Sequence, residues 1–311
     1  MRTAFLLELL EIARENPRLF LLVGDLGFSV VEPFAEEFPD RFLNVGVAEQ
    51  NMTGIAAGLA MCGYHPFTYS IGNFSTLRCL EQIRNDICYH NLPVTVVAVG
   101  SGFSYGPLGA SHHATEDLGV LRTMPNLTVC SPGDPLETQI CTRLVSRLSG
   151  PSYLRLGKAG EPLVHNTLPD ICYGEAISLR GEFSRVVCTT GGMLALAKEA
   201  ISTLDLNLGL VSFPFVKPID RVMIKTLAKC DAILTIEEHQ KNCGFGSAVV
   251  EVLSDLYANG SIDNFPRVER LAINDCFMHV AGSRDFLLSQ AGLHVSEVIH
   301  KFSQGESYQH V

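Results

Sequence analysis

Glu49 is the residue of this sequence whose surroundings point most directly to chemistry. It stands in the run RFLNVGVAEQNMTGIAAGLAMCGYHPF, residues 41–67, where one carboxylate opens a segment rich in glycine, alanine and other apolar residues. A glutamate in such a place can be a first-turn acid that the helix dipole favours. It can also be a catalytic group, because an apolar setting raises the pKa of a carboxyl and helps it to hold or share a proton.

Two adjacent histidines and a phenylalanine are further candidates. His112 and His113 lie in GASHHATED, and neighbouring side chains of an extended segment point to opposite faces, so at least one is expected to face a substrate. The alternative is a polar loop in which Glu116 caps the next helix. Phe74, in TYSIGNFSTLRCLEQIRND, enters a predicted helix, where a phenylalanine is ordinarily part of the core.

Alternating helices and strands must position these side chains. The first series has predicted helices over 3–16, 48–63, 76–91 and 134–148 and strands over 19–25, 94–100 and 152–157. The second series has strands over 185–192, 206–213, 231–238 and 267–274, with helices between them. This alternation predicts an α/β fold whose parallel sheets are covered by helices. We expect a first domain over 1–165, a linker over 166–184 and a smaller α/β domain over 185–311.

Composition excludes several classes of protein. The net charge of −10 and a pI near 5.5 argue against nucleic acid or an anionic membrane as a partner. The amino terminus has the pattern of an amphipathic helix and not of a signal peptide, and no membrane-spanning run follows. The ten cysteines show neither a CxxC pair nor metal-like spacing, so we interpret them as buried thiols of a cytoplasmic protein. Neither GxGxxG nor GxxxxGK[ST] is present.

The run around Glu49 resembles the pyrimidine-binding domain of thiamine-diphosphate enzymes of the transketolase and deoxyxylulose-phosphate synthase group, which carry a glutamate in a G-[VI]-x-E-x-x-M-type segment. Further stretches follow in the family's order and spacing: DLGFS, GPLGASHHATEDLGVLRTMPNLTVCSPGDPLE, GPSYLRLGK and EEHQKNCGFGSAV. The resemblance covers almost the whole chain. It implies a pyrimidine-binding thiamine-diphosphate domain followed by a transketolase carboxy-terminal domain.

The resemblance also assigns roles at the cofactor. Glu49 would share a proton with nitrogen N1′ of the aminopyrimidine and so favour the tautomer that activates the cofactor. Phe74 matches the aromatic residue that stacks on the pyrimidine. Asp25 corresponds to an aspartate near the cofactor in the family. We expect the neighbouring Leu26 to contact the cofactor as well. His112 matches the histidine that hydrogen-bonds the substrate's carbonyl or hydroxyl oxygens.

Substrate recognition follows from the same comparison, together with several departures from the pattern. Arg2, Ser29 and Lys158 fall where transketolases hold the terminal phosphate of the substrate, with lysine in place of the planar fork of an arginine. His113 stands where transketolase has glutamine. Leu108 replaces an aspartate that reads the acceptor's C2 hydroxyl. Gly100 likewise replaces a phosphate-contacting histidine.

The family's GDG...N motif, which binds diphosphate and Mg²⁺, is missing, and the chain begins at the family's second domain. We therefore expect the carboxy-terminal subunit of a split transketolase. An amino-terminal partner subunit would carry that motif and hold the metal, and the two would form a heterotetramer of two plus two. The expected reaction is transfer of a two-carbon ketol unit from a ketose to an aldehyde. The alternatives are a decarboxylating enzyme, as in deoxyxylulose-phosphate synthase or 2-oxoacid dehydrogenase E1 β subunits, and a non-catalytic assembly subunit.

Overall fold

The computed structural model describes residues 1–181 and 183–306. Within them the α-helices are α1 (Arg2–Glu15), α2 (Glu32–Glu37), α3 (Glu49–Met61), α4 (Gly72–Ser75), α5 (Leu80–Gln82), α6 (Asp117–Arg122), α7 (Pro135–Val145), α8 (Met193–Thr203), α9 (Arg221–Leu227), α10 (Phe245–Ala258), α11 (Arg284–Gln290) and α12 (Val295–Gln304). The strands are β1 (Leu19–Val23), β2 (Phe42–Asn44), β3 (His65–Ile71), β4 (Thr95–Val99), β5 (Thr128–Cys130), β6 (Ser152–Leu156), β7 (Ile177–Arg180), β8 (Arg185–Thr189), β9 (Gly209–Ser212), β10 (Phe215–Lys217), β11 (Ala232–Gln240) and β12 (Arg267–Ile273).

The first sheet has the strand order β10-β5-β6-β4-β3-β1-β2 and is parallel except at β10. Strands β4 and β6 at its centre are buried along their whole length because both faces of the sheet are covered. Val97 and Val99 of β4 belong to the core that α1 and α7 close, whereas Val96 and Ala98 belong to the core on the side of α3. This sheet confirms the predicted helix-covered parallel architecture.

The second sheet has the order β12-β11-β8-β9-β7 and is parallel except at β7. Edge strand β7 lies inside the stretch 166–184 that the sequence pattern suggested as a linker. Strand β10 follows β9 in the chain yet pairs with β5 of the first sheet. The α/β fold class is confirmed, whereas the domain boundaries stay a prediction.

Loops after the carboxyl ends of parallel strands meet at one edge of a sheet, which is where open α/β folds bind ligands. In the first sheet the segments after β1, β3, β4 and β6 carry most of the candidate residues named above. The predicted helix over 76–91 is broken there. It consists of a 3-10 turn at Leu77–Cys79, the short α5 and a π-helical turn at Ile83–Cys88.

The cysteines correct one expectation. All ten lie in the described part of the chain and are free thiols. Five are buried as predicted and Cys230 is intermediate, but the prediction is wrong for the four exposed ones, namely Cys62, Cys172, Cys243 and Cys276. These follow helices or lie in loops, where sequence hydrophobicity carries no information on burial. Among the described residues, no helix has the length and apolar character needed to cross a membrane.

Candidate active site

Glu49 is the first residue of α3 and is 2% exposed. Ser70, near the end of β3, donates a hydrogen bond from Oγ to Glu49 Oε1 over 3.1 Å. A Cβ atom built on Gly24, directly after β1, would lie 3.3 Å from Ser70 Oγ and 3.4 Å from Glu49 Cγ, so Gly24 packs directly against this pair. The helix N-terminus adds a favourable field for a negative charge.

Arg78 is a partner of Glu49 that the sequence pattern did not reveal. Its Nη1 lies 2.9 Å from Glu49 Oε2, while the Arg78 side chain itself is 45% exposed. A continuous helix over 76–91 would not have predicted this contact. The break between α4 and α5 turns Arg78 back towards α3, and Thr76 Oγ1 supports the break by donating to the Gly72 carbonyl over 2.7 Å. Helix irregularities of this kind occur frequently at functional sites.

Phe74 lies between Arg78 of this ion pair and His112, and contacts both. The Arg78 guanidinium carbon lies 4.4 Å from the Phe74 ring centroid, a cation–π contact. The other neighbour of Phe74 is His112, whose ring meets it edge-on at a centroid distance of 5.0 Å. Glu49, Arg78, Phe74 and His112 therefore form one continuous row of contacts, brought together from α3, the segment after β3 and the loop after β4.

The two histidines point to different surroundings. His112 is half-buried and its Nδ1 lies 3.0 Å from Ser111 Oγ. His113 is buried, with Nε2 at 3.4 Å from the Gly106 carbonyl and an edge contact to Phe103 at 5.1 Å. Burial lowers the pKa of His113, so this imidazole is favoured in its neutral form. His112 is the histidine that lies beside Phe74.

The loop after β1 carries three of the candidates in an unusual backbone. Asp25 has φ of 55° and Ser29 has φ of 63°, both in the left-handed region that non-glycine residues rarely adopt. Asp25 is exposed and accepts a hydrogen bond from Asn44 Nδ2 at 3.0 Å. Ser29 is exposed and donates its backbone N–H to Glu32 at 2.7 Å, while Leu26 packs on the α1 side of the core.

Arg2 and Lys158 approach a residue that was not among the candidates, Tyr105. The ammonium of Lys158 lies 5.1 Å from the Tyr105 ring centroid. Burial raises the pKa of Tyr105, and the nearby positive charge of Arg2 opposes that rise. Leu108, in the 3-10 turn after Tyr105, is 55% exposed. Gly100 has φ of 95° and lies directly under the Tyr105 ring.

The second sheet braces the loop that carries these residues. The Phe103 backbone N–H donates to Glu238 Oε1 of β11 at 2.7 Å, and Arg284 of α11 holds the Glu238 carboxylate with Nη2 at 2.6 Å from Oε2. At the other end of the loop, buried Asp117 accepts from Arg155 Nε at 2.7 Å, and this guanidinium keeps the pKa of Asp117 low despite full burial. The loop over 100–117 is thus fixed by both sheets.

Comparison with known proteins identifies the family. Residues 1–160 match the model of the transketolase pyrimidine-binding domain, and residues 174–298 match that of the transketolase C-terminal domain. The chain belongs to the transketolase family. The resemblance inferred from the Glu49 run and the motifs after it is therefore confirmed.

Relatives within the transketolase family are similar along nearly the whole chain. The chain is 31% identical to one of the subunits of an apulose-4-phosphate transketolase of Actinobacillus succinogenes, covering 86% of each. It is 30% identical to a 6-deoxy-6-sulfo-D-fructose transketolase subunit of Clostridium sp., covering 96% of this chain and 92% of that one. A solved split-gene transketolase, described as an inactive beta4 tetramer, superposes with a TM-score of 0.84 at 35% identity, covering 97% of this chain and 96% of that one.

The transketolase family depends on thiamine diphosphate, and the site suits one half of that cofactor. A buried carboxylate and an aromatic ring linked to it through Arg78 are the kinds of group that bind an aminopyrimidine. Residues 1–181 and 183–306 contain no group of three or more histidine, cysteine, aspartate or glutamate side chains placed to hold a metal ion. The described residues therefore offer a carboxylate and a ring for the pyrimidine, and they contain no such acidic or histidine cluster for Mg²⁺.

Proposed function

We propose that this chain is the catalytic carboxy-terminal subunit of a two-subunit transketolase, which transfers a two-carbon ketol unit from a ketose to an aldehyde. The observation that carries the proposal is the buried Glu49 carboxylate at the start of α3, in contact with Ser70 and Arg78 and continued by Phe74 and His112. A subunit with a purely structural role has no use for a carboxylate placed in this way.

Glu49 shares a proton with nitrogen N1′ of the cofactor's pyrimidine. Thiamine diphosphate, when bound, supplies the carbon nucleophile that accepts the ketol unit. Glu49 Oε1 and Oε2 already accept one hydrogen bond each, from Ser70 and Arg78, and a carboxylate has further lone pairs for a ring nitrogen. Arg78 fixes the orientation of the carboxylate, and Phe74 offers a flat face to the pyrimidine.

His112 binds the sugar substrate. It lies beside Phe74 and is half-buried, so one side of its imidazole is open for hydrogen bonds to the carbonyl or hydroxyl oxygens of a ketose. Asp25 and Leu26 contribute to cofactor binding from the loop after β1. His113, buried in the same loop, is proposed as a further residue on the substrate side.

The sugar substrate carries a terminal phosphate at the end away from its reacting carbons. Arg2, Ser29 and Lys158 supply two cations and a hydroxyl, a donor set suited to a phosphomonoester. Recognition of the C2 hydroxyl of the acceptor aldehyde would need a hydrogen-bond acceptor at position 108, where Leu108 has an apolar side chain that is 55% exposed. The enzyme therefore selects less strictly for aldehydes that carry this hydroxyl.

Mg²⁺ and the diphosphate are held mainly by the partner, an amino-terminal transketolase subunit with the GDG...N motif. We propose an assembly of two copies of each subunit, in the cytoplasm. Support comes from two relatives that are themselves named as transketolase subunits, since their alignments with this chain cover 86% and 92% of their length.

Turnover by the reconstituted pair tests this function. The chain is mixed with an amino-terminal subunit carrying GDG...N, thiamine diphosphate and Mg²⁺, and assayed against a panel of ketoses with an aldehyde acceptor, and separately against pyruvate. Ketol transfer without pyruvate decarboxylation is expected. Decarboxylation of pyruvate would instead assign the decarboxylating chemistry, and activity that survives loss of the Glu49 carboxylate would leave an assembly role.

A further inference from the structure

Tyr105 fills the space above Gly100 in the loop after β4. Gly100 has φ of 95°, and a Cβ atom built on it would lie 2.2 Å from both Cδ2 and Cε2 of the Tyr105 ring. No side chain can occupy that position while the ring is in place. The Tyr105 ring therefore occupies the volume that a side chain at position 100 would need, and its placement depends on glycine there.

The Tyr105 ring is close both to His112 and to the cation Lys158. The His112 ring meets Tyr105 at a centroid distance of 6.4 Å. Lys158 Nζ is 5.1 Å from the Tyr105 centroid. Arg2 lies near Tyr105 and Lys158 as well. Burial raises the pKa of Tyr105, and the positive charge of Arg2 opposes that rise. The residue before Arg2, Met1, accepts a hydrogen bond at Sδ from the N–H of Gly157, which precedes Lys158.

Two groups in this arrangement lack partners. Arg2 Nε is buried and makes no hydrogen bond, and the Tyr105 hydroxyl has no hydrogen-bond partner within residues 1–181 and 183–306. A buried guanidinium N–H without an acceptor is costly, and an oxyanion would satisfy it. The Tyr105 hydroxyl is the neutral donor of the same cluster.

We propose that Tyr105 determines substrate specificity by donating a hydrogen bond to the terminal phosphate of the sugar, which Arg2 and Lys158 hold, while its ring closes the cleft over Gly100. This inference rests on the proposed function for the identity of the sugar. Tyr105 thereby supplies a hydrogen-bond donor that glycine at position 100 lacks.

Kinetics of the reconstituted pair measure the role of the hydroxyl. Tyr105→Phe keeps the ring over Gly100 and removes only the donor. It is expected to lower kcat/KM for ribose 5-phosphate by about tenfold or more, mainly through KM, and to leave unphosphorylated ribose unchanged. Tyr257→Phe, at a 53% exposed tyrosine of α10, is the matched control and changes neither. Equal loss on both aldehydes, or no loss on ribose 5-phosphate, would overturn the inference.

A binding measurement separates this inference from the proposed function, because it needs no turnover. Inorganic phosphate is titrated into the full chain by isothermal calorimetry, with wild type, Tyr105→Phe and Tyr257→Phe compared. Wild type and Tyr257→Phe are expected to bind alike and Tyr105→Phe about tenfold more weakly. Equal affinity in all three chains contradicts the role of Tyr105 even when the pair transfers ketol units. A selective loss supports that role even when no ketose is turned over.

Discussion

Replacing Glu49 by glutamine removes a charge and changes almost nothing else in the site. The glutamine carbonyl can still accept from Ser70 Oγ, which lies 3.1 Å from Oε1 in the wild type. The lost contact is the ion pair with Arg78, at 2.9 Å. Because the Arg78 side chain is 45% exposed, water takes over the solvation of its guanidinium.

Two magnitudes follow from this geometry. The free energy of unfolding should change by no more than about 1 kcal/mol, since an ion pair with one partner half in water contributes little. The rate should fall by ~10² to 10⁴, because an amide cannot share a proton with the pyrimidine nitrogen as a positioned acid–base group does. A thousandfold loss corresponds to about 4 kcal/mol of transition-state stabilisation.

The assay compares wild type, Glu49→Gln and Ser70→Ala in the reconstituted pair. Ketol transfer and the exchange rate of the cofactor's thiazolium proton with deuterium are both measured, and urea unfolding reports stability. Ser70→Ala keeps the charge of Glu49 and should lose tenfold or less, in line with one neutral hydrogen bond. Transfer by Glu49→Gln within threefold of wild type would refute the catalytic role, and a large loss of stability would refute the reasoning about Arg78.

Three further predictions concern two residues of the site and one buried residue of β11. Arg78→Met should lower kcat roughly tenfold with little change in unfolding free energy, since it releases the Glu49 carboxylate from its fixed orientation; unchanged kcat in the transfer assay would exclude that positioning role. Glu237 is buried, with its pKa raised to about 7 mainly by burial. The folded chain therefore keeps a proton that the unfolded chain releases above its ordinary pKa of 4.5, so stability should fall by roughly 3 kcal/mol as the pH rises from 4.5 to 7. Glu237→Gln should flatten this dependence in urea unfolding at pH 5 and pH 8, and parallel pH profiles of variant and wild type would contradict it. Leu108→Asp should raise the preference for ribose 5-phosphate over 2-deoxyribose 5-phosphate about tenfold or more. A wild-type preference for ribose 5-phosphate above about a hundredfold would show that Leu108 does not relax selection.

The sequence predicted the parts of the site that depend on local pattern. The apolar run after Glu49 predicts a helix over 48–63, and α3 of the structure begins at Glu49 with that side chain buried. The alternation of strands and helices predicts a parallel sheet covered by helices, and in the structure the segments after β1, β4 and β6 meet at one edge of that sheet. Adjacent His112 and His113 were expected to face different sides, and they lie in different surroundings.

The remainder depended on contacts between distant segments, which no local pattern encodes. Arg78 has the helical spacing of a surface residue, and only the break between α4 and α5 turns it towards Glu49. Gly100 suggested an empty place where a histidine was lost, whereas the Tyr105 ring fills that volume. Strand β10 lies among segments of the second sheet in sequence but pairs with β5, since edge pairing is decided by tertiary packing.

Retention of thiamine diphosphate, followed by turnover, tests the central claim most directly. The purified chain alone and its mixture with an amino-terminal subunit carrying GDG...N are passed over a desalting column with the cofactor and Mg²⁺, and then assayed for ketol transfer. We predict that the mixture keeps the cofactor and turns over, that removal of the metal by a chelator abolishes both, and that the chain alone does neither. Tight metal-dependent retention of the cofactor by the isolated chain, or a mixture that keeps the cofactor and transfers no ketol unit, would contradict the assignment of this chain as half of a transketolase.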